Sequence, residues 1–289
     1  MPHINRINEV VKKGRLVIEI NRNYYKLCLF DTNALSEFLK SPMKWIHFFK
    51  EEFSLSSTII SYSAFSLIEL AESSFLFDKY LEFFSTFPSV ILDGFQSIFL
   101  KELKIYYKNN EDVNPIVISP FCSGLESKLT PKERVKFILD KSGLFDRKKY
   151  WDSGRKDVLE GITSLTRNYP PINKKYSQKE VELFVKVASM QQIELRDAEF
   201  FHQVTDNKKK INLLKFPSII STSYVVFYKF YPDKRKPIIS DVYDIIISSL
   251  LPYVDYVITE SNLCEILRKI QTKHSFLKEL KYYPIKYVR

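Results

Sequence analysis

Five acidic residues stand where a chain of this pattern would place chemistry. Asp31 ends the apolar run YYKLCLFD (24–31), and Glu69 lies on the second turn of the helical stretch that follows STIISY (57–62). Asp241 and Asp244 open SDVYDIIISSLL, and Glu260 directly follows YVDYVIT (253–259). In open parallel sheets, ligands gather at the carboxyl ends of strands, and these acids fall at or beside such ends. Carboxylates crowded within a few ångströms repel one another and hold on to protons unless a cation neutralises them. An all-oxygen donor set suits Mg²⁺ or Mn²⁺, hard cations that keep water ligands and take phosphate oxygens. Such an ion can deliver a bound hydroxide in line to phosphorus and stabilise the departing oxygen, which is the chemistry of phosphodiester hydrolysis. Taken singly, Asp31 or Asp241 fits a helix cap equally well, Glu69 a solvated helix face and Glu260 a surface acid. Their joint occurrence in this chain order favours one shared site.

The elements that must position these acids are legible as alternation. YYKLCLFD reads as a buried strand feeding one helix over TNALSEFLKSPMKWIHFFKEEF. STIISY is a second strand, with Ser63 as N-cap of one helix over AFSLIELAESSFLF, and SVILD (89–93) is a third, leading into QSIFLKELKIYYKN. RLVIEINRNYY ahead of them reads as an edge strand or hairpin arm. After NNEDVNP the pattern turns helical without strands, and Thr130-Pro131-Lys132-Glu133 and Ser177-Gln178-Lys179-Glu180 are capping boxes that open helices. Strands return at 253–259 and 283–288, separated by the helix NLCEILRKIQ. The expected fold is therefore α/β: a three-layer α/β/α domain with a mostly parallel central sheet of about five strands. It spans 1–108 and 213–289, with 109–212 as a helical insertion.

Other chemistries find little support. Six glycines, at 14, 94, 124, 143, 154 and 161, cannot write GxGxxG, GxxxxGK[ST] or GxSxG. His3, His47, His202 and His274 are too scattered for a Ser/His/Asp triad or an HExxH zinc site. Cys28, Cys122 and Cys264 are odd in number and far apart, as reduced, buried thiols of a cytosolic protein would be. No N-terminal apolar stretch is present, and DIIISSLLPYVDYVI is broken by Pro252 and Asp255 short of the roughly 20 residues a membrane span needs, so a soluble protein without a membrane partner is expected.

Lys and Arg outnumber Asp and Glu by 44 to 34, a formal charge of +10 that favours polyanionic partners. Basic clusters at Arg147-Lys148-Lys149, Lys174-Lys175, Lys208-Lys209-Lys210 and Lys234-Arg235-Lys236 have aromatics near them, among them Tyr150, Trp151, Tyr176 and Tyr231. Cations interleaved with rings can steer and stack single-stranded nucleic acid, and Lys208, Lys209, Lys210, Lys234, Arg235 and Lys236 are the candidate nucleic-acid-binding residues. Arg196, Asp197, Glu199 and His202 read as a surface charge network.

LCLFDTNALSEFL resembles the opening signature of PIN-domain nucleases, in which an apolar strand ends in Asp followed by Thr-Asn and a helix. ISYSAFSLIELAES is similar to their second element with its Glu, and SDVYDIIISSLLPYVDYVITE to their closing helix and strand. The resemblance covers roughly 24–100 and 213–289; the middle has no counterpart. It implies a metal-dependent endoribonuclease using Mg²⁺ or Mn²⁺, with Asp31, Glu69 and Asp244 as metal ligands and Asp241 the alternative third. Glu260 stands where the family usually carries Asp. Thr32, Asn33 and Thr259 would support the site by hydrogen bonds. RNA is preferred to DNA by the resemblance alone. The chain is larger than the compact toxin nucleases, which suggests a toxin or phage-defence effector whose insertion gates access or meets a protein partner or inhibitor. The rival readings are a non-catalytic nucleic-acid-binding or scaffold module, favoured by the Glu260 departure, and a structure-selective DNA nuclease.

Overall fold

The computed structural model describes residues 7–12, 15–20, 23–53, 57–84, 89–107, 117–118, 130–141, 143, 146 and 148–288. The chain opens with β1 (Ile7–Lys12) and β2 (Arg15–Ile20), then runs β3 (Asn23–Phe30), α1 (Thr32–Lys40), α2 (Pro42–Glu52), β4 (Thr58–Ser63), α3 (Ala64–Leu70), α4 (Ser74–Phe84), β5 (Ser89–Leu92) and α5 (Phe95–Tyr107). The middle holds β6 (Val117–Ile118), α6 (Pro131–Lys141), α7 (Lys148–Asn168), α8 (Gln178–Arg196) and α9 (Ala198–Asp206). The chain closes with α10 (Pro217–Phe230), α11 (Ile239–Ser248), β7 (Tyr256–Thr259), α12 (Ser261–His274) and β8 (Lys281–Pro284).

Strands β8, β7, β3, β4 and β5 form, in that spatial order, a five-stranded parallel sheet, with Cys28 opposite both Ile60 and Tyr256. Alternation along β3 explains the layers. Leu27 and Leu29 point into one apolar cluster with Val257, Val225 and Leu267, while Cys28 and Phe30 point into another with Leu35, Phe38, Phe49 and Tyr80. A strand buried on both faces needs apolar side chains at every position, which is why its last four residues, Leu27, Cys28, Leu29 and Phe30, read as a continuous run. Each large side chain removed from water in these layers contributes about 1.5–3 kcal/mol. The fold is α/β with three layers, as the alternation of elements predicts.

Several local expectations are corrected. The helix expected over 32–53 is two, α1 and α2, because Pro42 lacks an N–H, clashes with the preceding turn and drives Ser41 out of helical backbone (φ −141, ψ 61). The helix expected over 64–77 divides after Leu70. There the Ser73 hydroxyl accepts from Leu76 N–H at 3.4 Å and its carbonyl from Phe77 N–H at 2.9 Å, starting a new helix. The middle holds a strand after all: β6 pairs antiparallel with β5, and two residues are too short to leave a periodic signal. The last strand lies at 281–284 rather than 283–288, since Ile285–Tyr287 turns into a 3-10 helix after Pro284. The described residues of RLVIEINRNYY, 15–20 and 23–25, are antiparallel arms, with β1 on β2 and β2 on the first residues of β3.

Both capping boxes form. Glu133 accepts from Thr130 N–H at 2.8 Å, and Glu180 from Ser177 N–H at 2.9 Å. The middle helices share the interior with the C-terminal ones, as Ile162, Val181 and Val185 lie in the same cluster as Leu29, Val257 and Leu267. Among the described residues, no helix is long and apolar enough to cross a membrane.

Candidate functional site

Asp31 follows the last residue of β3 and caps α1, its Oδ1 accepting from Ala34 N–H at 2.6 Å. The other oxygen accepts from the Thr259 hydroxyl at the end of β7, the neighbouring strand. Only 5% exposed, the carboxyl is pushed up to about 6. Burial is the largest cause; the bonds from Thr259 and Ala34 oppose it, and the charges of Asp244 and Glu260 add to it. Asp31 is thus a helix cap and, at the same time, the acid on which three segments converge.

Glu69 projects from α3 and accepts from the Thr32 hydroxyl of α1. Burial pushes it up to about 7; Glu72 and Asp244 raise it further, while Thr32 and Arg155 pull it down. Glu260 stands at the N-cap position of α12 without capping it, and its Oε1 accepts from Asn33 Nδ2. Thr32, Asn33 and Thr259 therefore each hold one acid, and the Asp31-Thr32-Asn33 junction reaches three separate carboxyl groups, its own included.

The two acids of SDVYD part company. Asp241 is 2% exposed and saturated: Oδ1 accepts from Arg235 at 2.6 Å and faces Lys229 Nζ at 3.1 Å, while Oδ2 accepts from Ile238 N–H at 2.9 Å. The helix α11 begins at Ile239 with Ile238 as its cap, so Asp241 is not the N-cap residue that its spacing suggests. It satisfies a free amide from inside the first turn instead. Asp244, one turn further on, accepts from Lys229 through Oδ2 and carries the charge felt by both Asp31 and Glu69.

Lys229 and Arg155 also bear on the site, and neither belongs to the motifs that point to it. Lys229 had a signal: it is the one charged residue in PSIISTSYVVFYKF, and a lysine inside an apolar helix must find anions when buried. Arg155 had none. It reaches from α7 to the Tyr243 hydroxyl and Asp152, and its guanidinium lies 5.3 Å from the Tyr243 ring centre.

Of the basic clusters, Lys208, Lys209 and Lys210 lie exposed beyond α9, and Lys234 and Lys236 are exposed beside α11. Arg235 differs, being committed to Asp241. Side chains of the 147–151 cluster lie outside the described residues. Arg196 is also corrected: rather than a surface charge, it stacks on Phe95 at 3.8 Å near buried Glu102. Cys28 and Cys264 are buried free thiols, and Cys122 lies outside the described residues.

Asp31 and its neighbours Thr32 and Asn33 tie Glu69 and Glu260 to the end of β3, Asp244 acts on Asp31 and Glu69 through its charge, and proton affinity is raised at Asp31 and Glu69. That donor chemistry fits a hard divalent cation. Among the described residues, no three His, Cys, Asp or Glu side chains are gathered to enclose a metal ion. No protein-family model, curated protein or solved structure matches the chain.

Proposed function

We propose that this chain is a metal-dependent nuclease of PIN type that hydrolyses RNA phosphodiester bonds with Mg²⁺ or Mn²⁺. One observation carries the reading: the Asp31-Thr32-Asn33 junction at the end of β3 is hydrogen-bonded to Thr259, Glu69 and Glu260, which come from distant parts of the sequence. Acids from separate segments tied to the end of one central strand is the arrangement that the PIN resemblance implies. Asp31, Glu69, Asp244 and Glu260 would hold the ion, which when bound would supply Lewis-acid activation of water and neutralise charge at the phosphate. Thr259, Thr32 and Asn33 orient the carboxylates of Asp31, Glu69 and Glu260. The net charge of +10 favours a polyanionic substrate, with Lys208–Lys210 exposed to meet it. RNA is proposed over DNA on the resemblance alone. The 109–212 segment is the proposed meeting place for a protein partner, as in a toxin or defence effector.

A second reading, a non-catalytic nucleic-acid-binding module, is favoured by the Lys229 ammonium on Asp244 and the Asn33 amide on Glu260, which occupy two of the four acids. Purified protein incubated with end-labelled single-stranded RNA, single-stranded DNA and flap DNA, in Mn²⁺, Mg²⁺ or EDTA, separates the readings. The nuclease cuts RNA with either metal and not in EDTA. Binding without cutting under all conditions supports the module, and cutting of flap DNA alone reassigns the substrate.

A further inference from the structure

His274 is the last residue of α12, and its side chain is 0% exposed. The ring is enclosed by two other helices. On α10, the Tyr228 hydroxyl lies 2.6 Å from Nε2, and the Tyr224 ring centre is 4.8 Å from that of the imidazole. On α8, Glu182 Oε1 lies 3.6 Å from Nδ1, beyond hydrogen-bond reach, and Nδ1 has no hydrogen-bond partner among the described residues. A buried ring nitrogen left unpaired is costly, and this one faces a carboxylate. That carboxylate has a choice. Glu182 is half-exposed, and the same Oε1 accepts from Gln178 Nε2 at 2.8 Å, one turn earlier on α8.

A neutral imidazole carries one N–H, whereas an imidazolium carries one on each nitrogen. With Nε2 occupied by Tyr228, the added proton turns the Nδ1 side into one end of a cation, and a shift of about 0.8 Å brings Glu182 into a charge-assisted bond. The surroundings pull the ring both ways. Burial holds His274 below its ordinary 6.5, Glu182 pushes it up, and Lys273 on its own helix pulls it down. Tyr224 and Tyr228 face it as neutral phenols, pushed up to about 12 by burial. Tyr282 of β8 acts on Arg268 and Glu265, earlier on α12. The free carbonyls at the end of α12 favour the cation.

We propose that His274 and Glu182 form a proton-operated latch between α8 and α12. It is open while the imidazole is neutral and Glu182 stays with Gln178, and it closes when the ring takes a proton from solvent and Nδ1–H donates to Glu182. The latch joins the 109–212 segment to the helix that begins directly after Glu260, and it does not depend on catalysis. Its sign in stability follows from burial. The folded chain takes up this proton at lower pH than the unfolded chain, so the stability that His274 contributes is present above about pH 6.5 and is lost as pH falls below it. The closed latch recovers part of that loss.

The test has two parts, both on the full chain. The titration of the His274 ring is followed by nuclear magnetic resonance in the wild type and in Glu182→Gln, and its midpoint should move to lower pH in the variant. Urea unfolding of the wild type, His274→Gln, Glu182→Gln and the double variant is then measured above and below the wild-type midpoint. The coupling between the two residues should vanish above it and stabilise the fold below it, by roughly two- to fivefold in the unfolding equilibrium constant. Should His274→Gln fail to fold, the two ring titrations decide alone, since Glu182 is half-exposed and its amide keeps the side chain's shape. An identical midpoint in the two proteins overturns the proposal. So does a coupling of the same size on both sides of the midpoint, or a ring that stays neutral until the chain unfolds in acid.

Discussion

Thr259 donates its hydroxyl to Asp31 Oδ2, joining the carboxyl end of β7 to that of β3 across the middle of the sheet. The bond leaves Asp31 in one orientation, with Oδ1 fixed by Ala34 N–H. Supporting bonds of this kind tune metal affinity by about 10–100-fold. Thr259→Val keeps the shape and removes the donor. The Mn²⁺ concentration for half-maximal cleavage should rise by at least about tenfold, with little change in the rate at saturating metal. An unchanged metal requirement would show that the bond serves the fold alone.

The apo protein should lose stability as pH rises. Asp31 moves from an ordinary 3.8 to about 6, and Glu69 from 4.5 to about 7. Between the lower and upper values the folded chain binds more protons than the unfolded chain, so unfolding free energy falls with increasing pH. Stability contributed by the protonated forms is present below about pH 4 and is gone above about pH 7. Glu102, buried and hydrogen-bonded by Ser218 and Tyr253, is also pushed up to about 7 and acts in the same direction. Melting in EDTA across this range, for the wild type, Asp31→Asn and Glu102→Gln, should give a smaller drop in each variant. Saturating Mn²⁺ should flatten the site's share, since cation binding stabilises the ionised native form. A drop that Asp31→Asn leaves intact would remove Asp31 as its source.

Asp241 and Asp244 should behave differently when neutralised. Asp241→Asn disturbs a buried junction with Lys229, Arg235 and Ile238 N–H, and about 1–3 kcal/mol of stability should be lost, with most of the cleavage rate retained. Asp244→Asn, at a partly exposed position beside Asp31 and Glu69, should lose about a hundredfold or more in rate. Urea unfolding and single-turnover cleavage measured on both variants give the ranking. An active Asp244 variant beside an inactive but folded Asp241 variant would assign the ligand to Asp241.

Neutralising Lys208, Lys209 and Lys210 together should weaken RNA binding without regard to sequence. The slope of log affinity against log salt should flatten by roughly one for each phosphate that the variant no longer neutralises. All three are exposed, so the fold should be unaffected. A slope identical to that of the wild type would make this loop a solvated one.

How much of this could be read from the sequence depended on whether a feature is local. The strand that ends at Asp31 is visible because its last four residues, Leu27, Cys28, Leu29 and Phe30, are buried on both faces, which leaves an unbroken apolar run. The capping boxes at Thr130 and Ser177 are visible because donor and acceptor are three residues apart. The break at Pro42 was written in the sequence and outweighs the helical spacing around it. By contrast, β6 is two residues long, and its pairing with β5 depends on chain folding rather than pattern. The separation of Asp241 from Asp244 was only half legible. Spacing showed that one of them would meet the helix's free amides, but not that Lys229 and Arg235 would crowd the same carboxylate. Lys229 itself was legible as an anomaly, a charge in an apolar helix, though its partners were not. Arg155 arrives from a helix with no pattern linking it to Glu69, and only the three-dimensional structure brings the two together.

The most direct test of the central claim is cleavage of end-labelled single-stranded RNA in Mn²⁺ by the wild type and by Asp31→Asn at equal concentration. The substitution is nearly isosteric, removes a buried carboxylate and leaves an acceptor for Ala34 N–H, so folding should be preserved. Metal-dependent cutting by the wild type, with at least about a hundredfold loss in the folded variant, is the result this site requires. Equal turnover by the two proteins would contradict it.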